Sequence, residues 1–114
     1  MNLTGKKCVP CEGGVQPLDD AGEDRLLTSL EGWDILRDGE HRIEKNYTCK
    51  DFVGAIQFVN AIADVAESEG HHPNIYLHSW NQVRIIINTH SIGGLHENDF
   101  ILAAKIDSLK RPAA

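Results

Sequence analysis

Residues 51–73 read DFVGAIQFVNAIADVAESEGHHP and carry the strongest helix signal of the chain. From 51 to 69, apolar side chains recur at spacings of three and four, which is typical of an amphipathic helix. Gly70 suits the left-handed position that often follows a helix. An apolar arc this wide predicts packing both on a sheet and on a second copy or partner. The members of the arc are Phe52, Ala55, Ile56, Val59, Ile62, Ala63 and Ala66, widened by Phe58 and Val65.

Two pairs of strands are predicted on either side of this helix. The first pair is 33–36 and 41–47, joined by an Asp-Gly turn at 38–39. The second pair is 74–80 and 82–90. Within the last strand, Val83, Ile85 and Ile87 fall on one face, and Arg84, Ile86 and Asn88 on the other.

A further helix is predicted before the first strand pair and another after the second. Asp19 and Asp20 suit the start of the first of these helices, and Gly32 is a plausible stop. Gly22 falls inside it and is expected to weaken it. Asp99 lies in or near the first turn of the last helix. The order α-β-β-α-β-β-α with hairpin-length links predicts an α+β domain, with a four-stranded antiparallel sheet and three helices on one face.

Length and charge narrow the class of protein. The 114 residues fit one domain, at 18–110, between an extended N-terminal arm at 1–17 and a short tail at 111–114. A net charge of −6 argues against direct binding to a nucleic-acid backbone. No apolar run is long enough for a membrane span, and residues 1–7 lack the apolar core of a secretory signal. Three cysteines do not indicate a disulfide framework, so we expect a protein of the reducing cytoplasm. The short apolar runs also lead us to expect no membrane partner.

The pair Cys8 and Cys11 forms a CxxC in the predicted arm. Without a second pair or a histidine at finger spacing, it is a weak zinc signal. Structural or incidental cysteines are the preferred interpretation.

The candidate chemistry lies in a cluster of histidines at the predicted ends of elements. His71 and His72 follow the long helix, His90 closes the last strand, and Glu67 lies one helical turn before His71. Pro73 pushes His72 toward an extended conformation, so the two neighbouring rings are expected to point to opposite sides. Imidazoles titrate near neutrality, and the cluster therefore favours proton transfer.

Each of these residues also has a simpler, non-catalytic interpretation. His-His-Pro after a helix also fits a polar loop, Glu67 alone fits a solvated helix residue, and Trp80 alone fits a packing residue. The remaining histidines are expected to be solvated side chains; they are His41, His78 and His96.

The combined pattern resembles the pterin-4a-carbinolamine dehydratase family. The similar region spans about 18–109, and the stretch at 7–14 resembles the leader of some microbial and plant members. His96 stands where a capping Thr is expected, which weakens the predicted cap of the last helix. The matching residues are Glu67, His71-His72-Pro73, Trp80, Thr89-His90, Gly93-Gly94-Leu95 and Glu97-Asn98-Asp99.

The resemblance implies a reaction and a set of roles. The reaction removes water from 4a-hydroxytetrahydrobiopterin to give quinonoid dihydrobiopterin, in tetrahydrobiopterin recycling, with no metal or other cofactor. The resemblance implies catalytic roles for three histidines: acid–base roles for His71 and His90, and for His72 pterin binding and stabilisation of the developing charge. Asp99 would orient His90. In addition, Glu67 would hold an imidazole, and Trp80 would form an aromatic wall.

The same resemblance implies dimers or tetramers and leaves a second function open. Some animal members act as dimerisation cofactors for a transcription factor, so a non-enzymatic protein-binding module is the alternative. A third possibility is a small metal-dependent hydrolase that uses His71, His90 and Glu67, although adjacent histidines lack the helical spacing of HExxH sites.

Overall fold

The computed structural model describes residues 3–6 and 16–109. Its element order, α-β-β-α-β-β-α, is the predicted one, and two short 3-10 helices, Leu3–Gly5 and His90–Ile92, are added to it. The helices are α1 (Asp20–Leu27), α2 (Phe52–Glu69) and α3 (Glu97–Asp107), and the strands are β1 (Asp34–Leu36), β2 (Arg42–Thr48), β3 (Asn74–His78) and β4 (Gln82–Ile87).

The four strands form one antiparallel sheet in the order β1-β2-β4-β3. Ile43 of β2 pairs with Ile87 of β4, and Ile75 of β3 pairs with Ile85. Alternate side chains of β2 and β4 are buried beneath the helices, whereas Arg84 points to the open face. The predicted α+β fold with an antiparallel sheet is therefore confirmed. The buried strand residues are Ile43, Tyr47, Val83, Ile85 and Ile87.

Helix α2 begins and ends where the sequence predicted. Asp51 caps its N-terminus by accepting a hydrogen bond from the Gly54 N–H, at 2.7 Å. Gly70 ends it with φ +66°, a conformation that costs little only for glycine. The His71 N–H then donates to the carbonyl of Ala66, which fixes the point where the chain leaves the helix.

Three element ends differ clearly from the prediction. Strand β4 ends at Ile87, so His90 does not close this strand but begins the second 3-10 helix. Helix α1 ends at Leu27, well before Gly32. Strand β3 ends at His78, because Ser79 and Trp80 adopt positive φ angles of 48° and 58° and turn the chain. Trp80 is therefore part of a tight turn and not of a strand.

Gly22 suits its place inside α1. Its N–H donates to Asp19 Oδ1 at 2.8 Å, which caps the helix. A Cβ at position 22 would lie 3.1 Å from that oxygen. The close approach explains why glycine, normally a weak helix former, is accommodated here.

The cysteine pair and most of the predicted arm, including Cys8 and Cys11, lie outside the described residues. Leu3, within the predicted arm, is buried in the core. Cys49 is buried and not in a disulfide. None of the helices in the described ranges is long and apolar enough to traverse a bilayer.

Candidate active site

The site histidines gather at one end of the sheet, where β3 begins and β4 ends. His71 and His72 lie between α2 and β3, and Thr89 and His90 follow β4. Asn74, the first residue of β3, pairs with Ile86 near the end of β4 in the antiparallel ladder. The segment before β3 and the segment after β4 therefore lie at the same end of the sheet.

A buried carboxylate holds His71. His71 Nε2 lies 2.6 Å from Oδ1 of Asp99, which is fully buried. The second oxygen, Oδ2, accepts the Thr89 hydroxyl and the His96 N–H, both at 2.8 Å. An ionised carboxylate only accepts hydrogen bonds, so Nε2 of His71 donates and Nδ1 is left for other contacts. The side chain of His71 remains 14% exposed, enough to meet a ligand at the surface.

The expectation that Asp99 orients His90 is wrong, since Asp99 contacts His71 instead. Thr89 explains the difference. Its backbone is extended, with φ −105° and ψ 94°, and its side chain turns inward to Asp99. His90, which begins the following 3-10 helix, faces Glu40 instead of Asp99.

His72 points elsewhere than His71, as Pro73 led us to expect. His72 Nε2 lies 3.0 Å from Oε2 of Glu67, and this pair is largely exposed, with 62% of the His72 side chain accessible. Glu67 therefore holds an imidazole, and that imidazole belongs to His72. Exposed pairs of this kind add little stability. His71 and His72 thus occupy different environments.

His90 has a partner that sequence reasoning missed. Its Nδ1 lies 3.3 Å from Oε1 of Glu40, which also accepts the side-chain amide of Asn88 at 3.0 Å. The pairing of β2 with β4 explains this contact. Ile43 pairs with Ile87, and continuing that register by three residues brings Glu40 opposite His90. The sequence did not provide this register.

Trp80 lies at the far end of the β3–β4 hairpin from the histidines. Five strand residues, Asn74–His78, separate the His72-Pro73 segment from the turn that holds Trp80. Strand residues advance about 3.3 Å each, so the separation is roughly 17 Å. The side chain is 62% exposed. Within one chain, Trp80 does not form a wall of this site.

The three remaining histidines were expected to be solvated; His78 is exposed as expected, and each of the three also has a hydrogen-bond partner. Nε2 of His78 lies 2.8 Å from Asn46 Oδ1 on the open face of the sheet. Nδ1 of His96 accepts the Asn98 N–H at 3.1 Å and caps α3, so the expected weakness of this cap is not observed. His41 belongs to a cluster around a buried carboxylate.

That cluster is built on Glu23, which is fully buried. Glu23 accepts from His41 Nδ1 at 2.7 Å and from Arg37 Nε at 3.0 Å. The hydrogen bond to Asp24 and, to a smaller extent, the one to Glu23 hold the pKa of the Arg37 guanidinium above its ordinary value.

Among the described residues, Glu23, His41 and Asp20 are the group whose ligand atoms come close enough to share a metal ion. Arg37 already supplies positive charge there. The adjoining cavity, of about 130 Å³, is smaller than the usual 300–1,000 Å³ of small-molecule sites.

The metal-hydrolase interpretation required His71, His90 and Glu67 to act together. In the structure, each of the three contacts a different partner side chain, as described above. Their placement gives that interpretation no support.

Comparisons with known proteins agree with the resemblance. The family profile described as Pterin 4 alpha carbinolamine dehydratase matches residues 16–109. A putative pterin-4-alpha-carbinolamine dehydratase from Halorhodospira halophila is 45% identical over 96% of this chain and 98% of its own. Pterin-4-alpha-carbinolamine dehydratase 2, mitochondrial, from Arabidopsis thaliana is 44% identical over 96% of this chain and 59% of its own.

Solved structures show the same fold. A protein from Brucella melitensis described as a transcriptional coactivator/pterin dehydratase superposes with a TM-score of 0.75 and 30% identity, covering 82% of this chain and 97% of its own. A pterin dehydratase-like RuBisCO assembly factor of the alpha-carboxysome has a TM-score of 0.57 at 23% identity, covers 68% of this chain and 88% of its own, and shares the fold alone.

Proposed function

The chain belongs to the pterin-4a-carbinolamine dehydratase family, which consists of hydro-lyases, and we propose that it dehydrates 4a-hydroxytetrahydrobiopterin to quinonoid dihydrobiopterin by histidine acid–base catalysis. The pathway proposed is tetrahydrobiopterin recycling. The observation that carries the mechanism is the contact between His71 and the buried Asp99 at the edge where His72 and His90 also lie.

The reaction needs one proton donor and one proton acceptor. The C4a–O bond breaks and the leaving hydroxyl takes a proton, while N5 loses its proton and the C4a–N5 double bond forms. His71 and His90 come from different segments, and each has one ring nitrogen without a carboxylate partner among the described residues, Nδ1 and Nε2 respectively. These two nitrogens are the proposed proton-transfer atoms, with either histidine as the acid.

His72 and Glu67 form the proposed binding contact. The pair is exposed and lies beside His71 in the chain, so it can reach a bound pterin without being part of the proton route. Truncating a binding group raises KM more than it lowers kcat. Trp80 is left out of the proposed site because of its position in the fold.

Steady-state kinetics with freshly generated carbinolamine tests the proposal. His71→Ala and His90→Ala should each lower kcat by about 10²–10⁴-fold, and the double variant should lose more unless one change already removes the whole route. His72→Ala should mainly raise KM. Circular dichroism controls for folding, and the assay is run after chelation, without added metal. Near-normal turnover in the folded double variant, or activity lost to a chelator and restored by zinc, would contradict the mechanism.

Self-association through α2 or an edge of the sheet is part of the proposal. Phe52, Val53 and Ile56 of α2 are exposed apolar side chains on one stretch of the helix, an arrangement that marks interaction surfaces. Light scattering at micromolar concentration should report a dimer or tetramer, and a monomer would contradict this.

The same surface keeps the alternative function open. The Brucella protein's description includes a coactivator role, and a protein-binding module would use α2 as readily as a second copy does. Folded protein without measurable turnover would favour that alternative. The proposed compartment is the cytoplasm, with no direct nucleic-acid partner.

A further inference from the structure

The two proposed proton-transfer histidines differ in how their rings are held. His71 is largely buried, and Asp99 fixes it from inside the protein. His90 is 90% exposed, so packing does not fix its ring. In the described part of the chain, the side chain of His90 pairs with Glu40.

One short segment after β4 serves both histidines. The contacts of residues 88, 89 and 90 fall on alternate sides of this segment. Thr89 turns inward and donates to Asp99. Asn88 and His90 turn the other way, and both reach the same oxygen, Oε1 of Glu40. The amide of Asn88 therefore helps to hold the Glu40 carboxylate in place beside the His90 ring.

We propose that Glu40 is the positioning residue of His90, the counterpart of Asp99 at His71. This inference rests on the proposed function for its kinetic consequence, although its structural consequence is independent of it. A carboxylate accepts and does not donate, so the neutral His90 must carry its proton on Nδ1 when it faces Glu40. That tautomer leaves Nε2 free to exchange a proton with the pterin.

The first test measures the tautomer directly. The ¹⁵N chemical shifts of the labelled His90 ring are recorded at about pH 8, where an ordinary imidazole is neutral. The wild-type ring should be mainly protonated on Nδ1, and Glu40→Ala should move it toward the Nε2-protonated form. Glu40→Gln keeps an acceptor oxygen at the same length and should retain the wild-type tautomer. Glu44→Ala is the matched control, because it removes another glutamate of the same hairpin that pairs with Arg84.

The second test is a double-mutant cycle on turnover. Glu40→Ala should lower kcat about fivefold with KM nearly unchanged, since an exposed pair is weak, and Glu40→Gln should restore most of the loss. In the His90→Ala background, Glu40→Ala should have no further effect, because Glu40 acts through His90.

Two outcomes would overturn the proposal. One is an unchanged His90 tautomer in Glu40→Ala, and the other is an equal loss of kcat in the wild-type and His90→Ala backgrounds. If no variant, wild type included, turns over the carbinolamine, the dehydratase function fails, and the tautomer measurement alone then decides the role of Glu40.

Discussion

Asp99–His71 and Glu23–His41 are two carboxylate–imidazole pairs with nearly the same geometry. The contacts measure 2.6 and 2.7 Å, and both carboxylates are fully buried. Burial of a carboxylate is costly unless its charge is balanced and its oxygens accept hydrogen bonds. The two pairs meet that requirement in different ways.

The difference lies in the second partner of each carboxylate. The other hydrogen bonds to the Asp99 carboxylate come from neutral donors, a hydroxyl and a backbone N–H. The other hydrogen bond to the Glu23 carboxylate comes from the guanidinium of Arg37. Its hydrogen bonds to Asp24 and Glu23 raise the pKa of Arg37, which stays charged. Among the described residues, His71 is the basic side chain that pairs with Asp99, whereas Glu23 pairs with Arg37 whether or not His41 is protonated. Similar geometry thus suits proton transfer at His71 and a structural tie between α1 and the β1–β2 hairpin at His41.

Among changes that test this comparison, the largest expected effect comes from removing the charge of Asp99. Asp99→Asn keeps the shape but cannot balance an imidazolium, and its amide no longer accepts at both positions. We expect kcat to fall about 100-fold, at the lower end of what a general acid–base group contributes. Steady-state kinetics measures the loss, with circular dichroism as the folding control. Wild-type kcat in folded Asp99→Asn would remove the distinction between the two pairs.

Glu23→Gln should give the opposite profile. The change removes a buried acceptor charge between Arg37 and His41, and lost buried hydrogen bonds cost about 1–3 kcal/mol. We expect the free energy of unfolding in urea to drop by that amount, while kcat stays within about twofold of wild type. If turnover falls as far as in Asp99→Asn while the protein remains folded, the Glu23 pair belongs to the chemistry as well.

Much of the fold followed from local signals. The alternation of β4, the Asp-Gly turn and the period of α2 each depend on residues close in sequence, and the structure contains all three elements. Gly70 is a good example, because a single residue type and a single φ angle decide where the helix stops. The end of β3 was missed, since serine and tryptophan give no warning of left-handed backbone.

The pairing of the site residues was harder to predict than their identity. Glu40 reaches His90 only through the register of β2 on β4, which depends on contacts between distant parts of the chain. Asp99 contacts His71 through one oxygen and Thr89 through the other, which requires α3 to lie against both the α2–β3 link and the segment after β4. The sequence motifs were enough to identify the histidines. Which carboxylate contacts which imidazole depends on the three-dimensional structure.

The smallest expected effect tests whether the chemistry is confined to the end of the sheet that holds the Asp99–His71 pair. Trp80 lies at the opposite end, exposed and at φ +58°. Trp80→Gly should leave kcat and KM within error of wild type. It should also raise the free energy of unfolding by about 1 kcal/mol, because glycine adopts left-handed backbone without the steric cost of a Cβ. Trp80→Ala is the matched control: it removes the same ring but keeps the Cβ, so it should not gain that stability. A raised KM in both folded variants would show that residue 80 contacts substrate after all, through a second copy whose hairpin reaches the site. The comparison of the two pairs would then have to include residues from both copies.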